Sequence, residues 1–243
     1  MHLCYTDSVK GCANIPGAEE HRAELRLHRA VLYHAQKGGN SMKLMIAIPM
    51  LDYIHHRFVR CLLALEQWLR SRGIEYEIDI EGGTLVYLAR EKLAARAAQS
   101  TCTHVLWLDA DMVFPPDILD GLHLPDKPVV CAAYCSRRPP FRPAVFSCLA
   151  PIRLADDTEG GVFEIMGCGF GCVLMEVGVL EKVFKRAGTC FTPTAAFGED
   201  LAFCSRCYDA RIPMYCNGDV RVGHIAQLDV YPQMRDALNS FQP

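Results

Sequence analysis

The chain has 243 residues, a formal net charge of -3 and a hydrophobic content of 51%. That apolar fraction supports a substantial core and excludes a disordered chain, and the length fits one α/β domain or two small ones. The near-neutral charge excludes a whole-protein electrostatic footprint for nucleic acid, although a local basic patch can still steer a ligand. Because no apolar run has the length of a membrane span and residues 1–10 do not resemble a signal peptide, we expect a cytoplasmic protein.

The cysteine content is high, with thirteen residues, an odd number. In a mid-sized chain without a secretory signature, most of these thiols are predicted to be small buried apolar residues. The one CxxC pattern, Cys204-Ser-Arg-Cys207, lacks a second pair to complete a zinc site. We therefore predict that it packs on one face of a helix.

Three regions are predicted along the chain. Residues 1–42 are polar and form an N-terminal extension with one possible helix at Glu19–Gln36. Because Lys37-Gly-Gly39 can be encoded by a ribosome-binding sequence, one hypothesis is that Met42 is the natural start; the alternative is an ordinary helical extension. The catalytic domain is predicted at residues 43–226, and residues 227–243 form a C-terminal tail or helix.

Strands and helices alternate from Lys43 onward, which favours a mostly parallel α/β sheet with right-handed crossovers. Short buried apolar runs predict strands at Leu44–Ile48, Glu75–Ile80, His104–Leu108 and Val129–Tyr134. Helices are predicted from a face that includes Phe58 and Leu69, from Tyr87–Gln99, and from a short segment after Pro115-Pro116.

The second half changes character and predicts a small antiparallel subsheet. Strands are expected at Ala144–Cys148 and Val162–Met166, separated by a turn at residues 156–161. The remaining predicted elements are helices at Val177–Arg186 and Asp200–Ala210 and short strands near Pro213–Cys216 and Val220–His224.

The strongest local signal is Val105-Leu-Trp-Leu-Asp109-Ala110-Asp111, a buried strand that runs directly into two acidic residues. Ligands of open parallel sheets bind beyond the carboxyl ends of the strands. Two carboxylates there repel each other unless a cation is bound, and Mg²⁺ or Mn²⁺ commonly links protein carboxylates to substrate phosphates. The alternative is that Asp111 caps the following turn.

At these residues the chain resembles the GT-A glycosyltransferases, especially the family-2-like enzymes, which also occur in compact form in phage and bacteria. Asp109-Ala110-Asp111 resembles the DxD motif, and Gly167-Cys-Gly169-Phe-Gly171 resembles the glycine-rich loop on the acceptor side. Gly198-Glu199-Asp200 resembles the xED motif, and Val222-Gly223-His224 resembles the segment carrying the C-terminal metal-ligand histidine. The resemblance spans about Lys43–Ile225.

The resemblance implies roles for these residues. Asp111, Asp109 (directly or through water) and His224 would hold Mn²⁺ or Mg²⁺ against the diphosphate of a UDP- or GDP-sugar. Asp200 would be the base of an inverting transfer to an acceptor hydroxyl, with Glu199 binding acceptor or sugar or exchanging roles with Asp200. In a transfer that retains configuration, neither acid need be a base. The alternative for this acidic pair is a favourable interaction with a helix dipole.

Other residues are implied at the two ends of the cleft. The donor would be bound by Pro49, Asp52, Asp79 (or Glu81) and Arg90, in addition to the DxD segment. The segment after the second strand, Asp79-Ile-Glu81-Gly-Gly-Thr84, departs from the usual family-2 pattern of paired aspartates, Gly and Ser. The alternative for Arg90 is a solvated charge on a helix.

The acceptor side of the predicted cleft carries glycines and a basic loop. Gly167, Gly169 and Gly171 permit close backbone approach and positive φ, so they would form a wall of the sugar and acceptor pocket or a tight bend. Arg137 and Arg138, with Arg142, would grip the diphosphate or an anionic acceptor such as DNA, or simply form a surface loop. Acceptors consistent with the resemblance include a glycan and a hydroxymethylated DNA base.

Two other functions are compatible with strand-end carboxylates. A nucleotidyltransferase would be expected to carry a glycine-rich loop after the first strand, but Met50-Leu-Asp-Tyr53 has none. A non-catalytic nucleotide-sugar binding module would not need the four motifs together. A metal-dependent glycosyltransferase is therefore the leading interpretation.

Overall fold

The computed structural model describes residues 42–149, 152–155 and 160–226. The predicted helix at Glu19–Gln36, the rest of the N-terminal extension before Met42, and the tail at residues 227–243 lie outside the described residues. Most of the predicted turn at residues 156–161 lies outside them too. The boundaries of the three regions therefore stay predictions.

Five helices lie in the described part of the chain. They are α1 (His56–Ser71), α2 (Val86–Gln99), α3 (Ile118–Leu122), α4 (Val177–Ala187) and α5 (Glu199–Asp209). Helix α4 ends on Gly188, whose φ of 73° provides the left-handed conformation that commonly terminates a helix. None of the helices within the described ranges is long and apolar enough to cross a membrane.

Seven strands form the central sheet in the order β2-β1-β3-β10-β5-β11-β8. Their bounds are β1 (Lys43–Pro49), β2 (Glu75–Glu81), β3 (His104–Leu108), β5 (Val129–Ala133), β8 (Val162–Ile165), β10 (Cys172–Glu176) and β11 (Met214–Arg221). Strands β1, β2, β3, β5 and β11 share one direction, whereas β8 and β10 are antiparallel to their neighbours.

Two small antiparallel ladders complete the fold. Strands β6 (Val145–Leu149), β7 (Ile152–Leu154) and β9 (Gly167–Cys168) form a three-stranded sheet, and β4 (Met112–Val113) pairs with β12 (Gly223–His224). A mostly parallel α/β sheet flanked by helices, with a small antiparallel subsheet, is what the sequence predicted, so the fold class is confirmed.

The core lies in two layers, one on each face of the central sheet. Strand alternation in β3 sends Val105 and Trp107 into the layer that contains α2, α4 and α5. Leu106 and Leu108 point into the opposite layer, against α1 and α3. Because β3 is buried on both faces, its sequence from Val105 to Leu108 is a continuous apolar run. The run ends at Asp109, the first residue after the strand.

The strand arrangement corrects the predicted element order in three places. Strand β10, which was not predicted, lies antiparallel between β3 and β5. The predicted strand at Val220–His224 is two segments, because β11 extends to Arg221 and β12 begins at Gly223. An additional strand, β7, lies between the predicted strands at Ala144–Cys148 and Val162–Met166, which correspond to β6 and β8. Strand β6 pairs with β7 and β9 and not with β8.

Candidate functional site

The candidate site lies where β3 ends. The Asp109 N–H donates to the Gly171 carbonyl at 3.1 Å, which ties the strand end to the loop before β10. The next segment turns into β4, whose Met112 pairs with His224 of β12, and the Ile225 N–H donates to the Asp111 carbonyl at 2.8 Å. This two-residue ladder brings the C-terminal histidine segment to the acidic motif.

Asp111 and His224 form the first of two charged groups in the site. His224 Nε2 lies 3.3 Å from Asp111 Oδ2, and Arg137 Nη1 donates to that same carboxylate oxygen. Burial works against ionisation of Asp111, yet the hydrogen bond from His224 and the positive charge of Arg137 lower the pKa of its carboxyl. The same bond to Asp111 raises the pKa of His224. One carboxylate oxygen of Asp111 is therefore shared by the Arg137 guanidinium and the His224 imidazole.

The second charged group centres on Arg90 of α2. Its side chain is only 2% exposed, and its Nη2 donates to Asp109 Oδ1 at 2.8 Å. Its Nη1 contacts Asp200 Oδ1 and lies 3.6 Å from Glu199 Oε1. Burial raises the pKa of Asp109, and the charge and hydrogen bond of the Arg90 guanidinium, which lower it, only partly offset this effect. One buried cation thus joins the acid at the end of β3 to both acids at the start of α5.

The surroundings of Arg90 exclude the interpretation that it is a solvated helix charge. The guanidinium carbon lies 5.4 Å from the centre of the Phe170 ring. Removing an arginine from water is costly unless its charge is paired. The pairing with Asp109 and Asp200 meets that requirement, and Arg90 is one of two buried polar or charged residues in the described part of the chain.

Glu199 and Asp200 occupy the first turn of α5, which follows the N-cap residue Gly198. Carboxylates at a helix N-terminus interact favourably with the helix dipole, so the structural interpretation of this pair holds alongside any chemical role. Asp200 Oδ2 also accepts a hydrogen bond from the Phe170 N–H at 3.3 Å. Each of its oxygens has a protein donor and retains a further acceptor position for a ligand.

Asp111 and His224 fit a divalent cation as two of its ligands. Their facing atoms, Asp111 Oδ2 and His224 Nε2, are 3.3 Å apart, and a carboxylate oxygen and an imidazole nitrogen would both serve as ligands for such an ion. His224 Nδ1 lies 3.1 Å from the Cys135 carbonyl, and a hydrogen on Nδ1 directed there would leave Nε2 able to bind a cation in place of its hydrogen bond to Asp111. The Asp111 and His224 side chains are 28% and 18% exposed, so water and phosphate can reach them.

Asp109 is the third predicted metal ligand, and the structure pairs it with Arg90. Over the described ranges, no set of three or more His, Cys, Asp and Glu side chains is close enough to hold a metal ion. A cation at this position would therefore have Asp111 and His224 as its protein ligands. Hard cations commonly complete such a set with water and substrate phosphate oxygens.

Gly169 and Gly171 are explained by Tyr134, a residue that the sequence analysis did not single out. A Cβ on Gly169 would lie 2.2 Å from the Tyr134 hydroxyl, and one on Gly171 would lie 2.9 Å from its ring. The Gly171 N–H donates to that hydroxyl at 3.0 Å, and the Tyr134 ring centre lies 5.6 Å from that of His224. Gly167 instead faces Leu149 and Leu201.

The predicted reason for these glycines needs correction. Gly167, Gly169 and Gly171 do not have positive φ values. Gly169 and Gly171 are required because the buried side chain of Tyr134 packs so closely against their backbone that it leaves no room for a Cβ. A tyrosine at the end of a buried strand carried no sequence signal of this role, because its partners lie more than 30 residues away.

The predicted donor-side residues lie in or just after β1 and β2. Pro49 ends β1, Asp52 lies in the exposed loop after it, and the His55 N–H donates to the Ala110 carbonyl at 3.3 Å. Asp79 forms a two-point ion pair with Arg96 at 2.6 and 3.0 Å. Asp79 is thus engaged within the protein, whereas Asp52 has an exposed position.

The basic loop between β5 and β6 begins at the candidate metal site. Cys135 pairs with Pro143 across the loop, and the Ser136 N–H donates to the Arg142 carbonyl at 2.8 Å. Of the arginines predicted in this loop, Arg137 reaches Asp111, with a side chain 54% exposed. Arg138 and Arg142 lie on the exposed part of the same loop.

The fold and the site together define an α/β protein with a cluster of acidic side chains at the carboxyl end of its third strand. No protein-family model matches the chain, and no curated protein matches it. Solved structures with a similar fold do exist, and they include a protein from STIV, a galactosyltransferase and a CTP transferase.

The crystallised protein A197 from STIV is 21% identical to this chain, with a TM-score of 0.49, and the match covers 78% of this chain and 96% of that protein. A mutant Drosophila beta-1,4-galactosyltransferase 7, in complex with manganese, UDP-Gal and xylobiose, is 14% identical, with a TM-score of 0.47 and coverage of 80% and 79%. The inositol-1-phosphate CTP transferase from T. maritima is 11% identical, with a TM-score of 0.44 and coverage of 84% and 97%.

Proposed function

We propose that this protein is a metal-dependent glycosyltransferase, which moves a sugar from a nucleotide-sugar donor to an acceptor hydroxyl. One observation carries the proposal: Asp111 and His224 meet at 3.3 Å beyond the end of β3, and the neighbouring Asp109 is joined through Arg90 to Asp200 and Glu199. A cation-binding pair and a separate pair of carboxylates are the two elements that such a transfer needs.

The donor is a UDP- or GDP-sugar whose diphosphate approaches Asp111 and His224. When bound, Mn²⁺ or Mg²⁺ supplies electrostatic stabilisation of the departing diphosphate. The exposed guanidinium of Arg137 lies beside Asp111 and can donate to phosphate oxygens in two-point fashion. Pro49 and Asp52, at and after the end of β1, bind the nucleoside end of the donor, together with Asp79 of β2 in its ion pair with Arg96.

The acceptor side of the reaction is assigned to Asp200. Asp200 takes the proton of the acceptor hydroxyl, whose oxygen forms a bond to the anomeric carbon. The bond from that carbon to the diphosphate oxygen breaks, and its electron pair leaves with the nucleoside diphosphate. Attack opposite the leaving group inverts the anomeric configuration. Glu199, at the preceding position, binds acceptor or sugar.

The acceptor is a hydroxyl on a glycan or on a hydroxymethylated DNA base. Arg138 and Arg142 support an anionic acceptor, because both lie on the exposed loop that begins beside Asp111. The Gly169–Gly171 segment and Tyr134 contribute the wall of the pocket next to His224.

A panel of nucleotide sugars incubated with the full chain and Mn²⁺ tests the proposal. Release of nucleoside diphosphate, with transfer or hydrolysis of the sugar, is the expected result. Release of pyrophosphate from a nucleoside triphosphate and a sugar phosphate would instead identify a nucleotidyltransferase. Tight donor binding without turnover would identify a binding module.

A further inference from the structure

We infer that Arg90 is a positioning residue that locks the donor half of the site to the acceptor half. The inference rests on the proposed function and deepens it. The sequence pattern suggested a residue reaching for the donor, but in the structure the guanidinium binds protein carboxylates.

The contacts of Arg90 show what it joins. Nη2 holds Asp109 at the end of β3, and Nη1 holds Asp200 at the start of α5. Residues 90, 109 and 200 come from three separate elements, and no backbone hydrogen bond links β3 to α5 among those described. The guanidinium is therefore the direct polar link between the strand that carries the cation site and the helix that carries the base.

The geometry of guanidinium makes this link rigid. Arginine presents several N–H donors in a planar fork, whereas lysine offers a point charge on a flexible stem. The Phe170 ring lies 5.4 Å from the guanidinium carbon, and the Phe170 N–H donates to Asp200 Oδ2. Asp200 is thus held at both oxygens by groups that are themselves packed.

Burial excludes a direct role for Arg90 on the substrate. With 2% of its side chain exposed, it has no surface with which to contact a diphosphate. Its effect on transfer runs through the placement of Asp200 relative to Asp109. Displacing a reacting group by about 1 Å can cost about 100-fold in rate, while binding of the remote part of the donor is unaffected.

Arg90→Lys in the full-length protein tests the inference, through the separate kcat and KM of nucleotide-sugar turnover with Mn²⁺. We expect kcat to fall about 100-fold or more, with the donor KM within about threefold of wild type. Phe170→Leu removes the flanking ring but no charge and should give a smaller change of the same kind. It also provides the measurement if Arg90→Lys does not fold.

Glu91→Gln is the matched control, because Glu91 is the next residue of α2 and its carboxylate binds only residues 189–192 among its described contacts. It should lower thermal stability and leave kcat unchanged for the folded fraction. Wild-type kcat in both Arg90→Lys and Phe170→Leu, or a rise in donor KM with kcat unchanged, would overturn the positioning role of Arg90 and leave the proposed function intact. A wild-type protein that turns over no nucleotide sugar would overturn the proposed function, and the inference with it.

Discussion

Asp111 and His224 lie 3.3 Å apart although they are 113 positions apart in the sequence. Their meeting depends on the short ladder in which Met112 pairs with His224. Asp109, only two residues before Asp111, points to a different cation, the buried Arg90. The two aspartates of one motif therefore have different partners, and this division gives separate predictions for each half of the proposed site.

Asp111→Asn should remove binding of Mn²⁺ and, with it, nucleotide-sugar turnover. An amide lacks the negative charge that holds a hard cation, and a ligand that binds only the folded state raises its thermal stability. Thermal denaturation with and without Mn²⁺ measures this: the wild type should gain stability and the variant should not. Asp117→Asn, at an exposed position with no side-chain cap bond, is the control and should behave as wild type. An equal Mn²⁺ effect in Asp111→Asn would remove the metal assignment.

Asp200→Asn should leave donor affinity intact and lower kcat by about 100- to 10,000-fold, the usual contribution of a general base. The amide keeps the size of the side chain but cannot take the proton of the acceptor hydroxyl. Donor binding is followed by titration calorimetry with the nucleoside diphosphate and Mn²⁺, and kcat by product release. A turnover rate equal to that of wild type would rule out Asp200 as the base.

Arg137→Ala should strengthen binding of Mn²⁺ to the donor-free protein. The guanidinium of Arg137 contacts the same carboxylate oxygen of Asp111 that faces His224, so it competes with a metal cation for that atom. Calorimetric titration with Mn²⁺ alone measures the change, expected at about tenfold in affinity, or about 1.4 kcal/mol. Arg138→Ala, on the same loop, is the matched control. Weaker binding in Arg137→Ala than in Arg138→Ala would contradict the prediction.

Gly169→Ala should destabilise the fold by about 1–3 kcal/mol, the usual cost of overpacking. The added Cβ would lie 2.2 Å from the Tyr134 hydroxyl, which also accepts from the Gly171 N–H. Gly178→Ala is the control, since its Cβ meets nothing within 4 Å and alanine favours a helix interior. Chemical denaturation compares the two. Equal stability in both variants would show that Tyr134 moves aside freely.

Glu91 provides a pH prediction that is independent of the proposed activity. Burial raises the pKa of Glu91, but hydrogen bonds from the Thr189 hydroxyl and from backbone N–H groups, including Phe191 at 2.7 Å, outweigh burial and leave the pKa lowered. A carboxyl with a lowered native pKa adds stability above its unfolded pKa, about 4.3, and loses it as pH falls through the native value. The wild type should therefore lose more stability on acidification than Glu91→Gln does.

Denaturation midpoints of the two proteins, measured from pH 7 down to pH 3, check this prediction. At pH 7 the variant should be less stable by about 1–3 kcal/mol, since it loses charge-assisted hydrogen bonds. The difference in stability between the two proteins should begin to shrink below the unfolded pKa and should vanish only below the lowered native pKa. Parallel curves throughout would show that the ionised form of Glu91 does not stabilise residues 189–192.

Local patterns were sufficient for most elements of the first half of the domain. The predicted strand at His104–Leu108 has the bounds of β3, and Tyr87–Gln99 differs from α2 by one residue. These segments combine an uninterrupted apolar run or a helical period with clear ends, so short-range physics decides them. Strand β10 was missed because Cys172–Glu176 follows a glycine-rich loop and continues directly into α4.

By itself, the sequence determined that acidic residues follow a buried strand, that a second acidic pair begins a helix, and that a histidine comes near the end of the domain. Only the tertiary structure decided which of them meet. The pairing of β4 with β12 places His224 beside Asp111, and the buried Arg90 contacts both Asp109 and Asp200. The reason is that a charge is buried only where packing supplies its counterion, and these partners are drawn from distant parts of the chain.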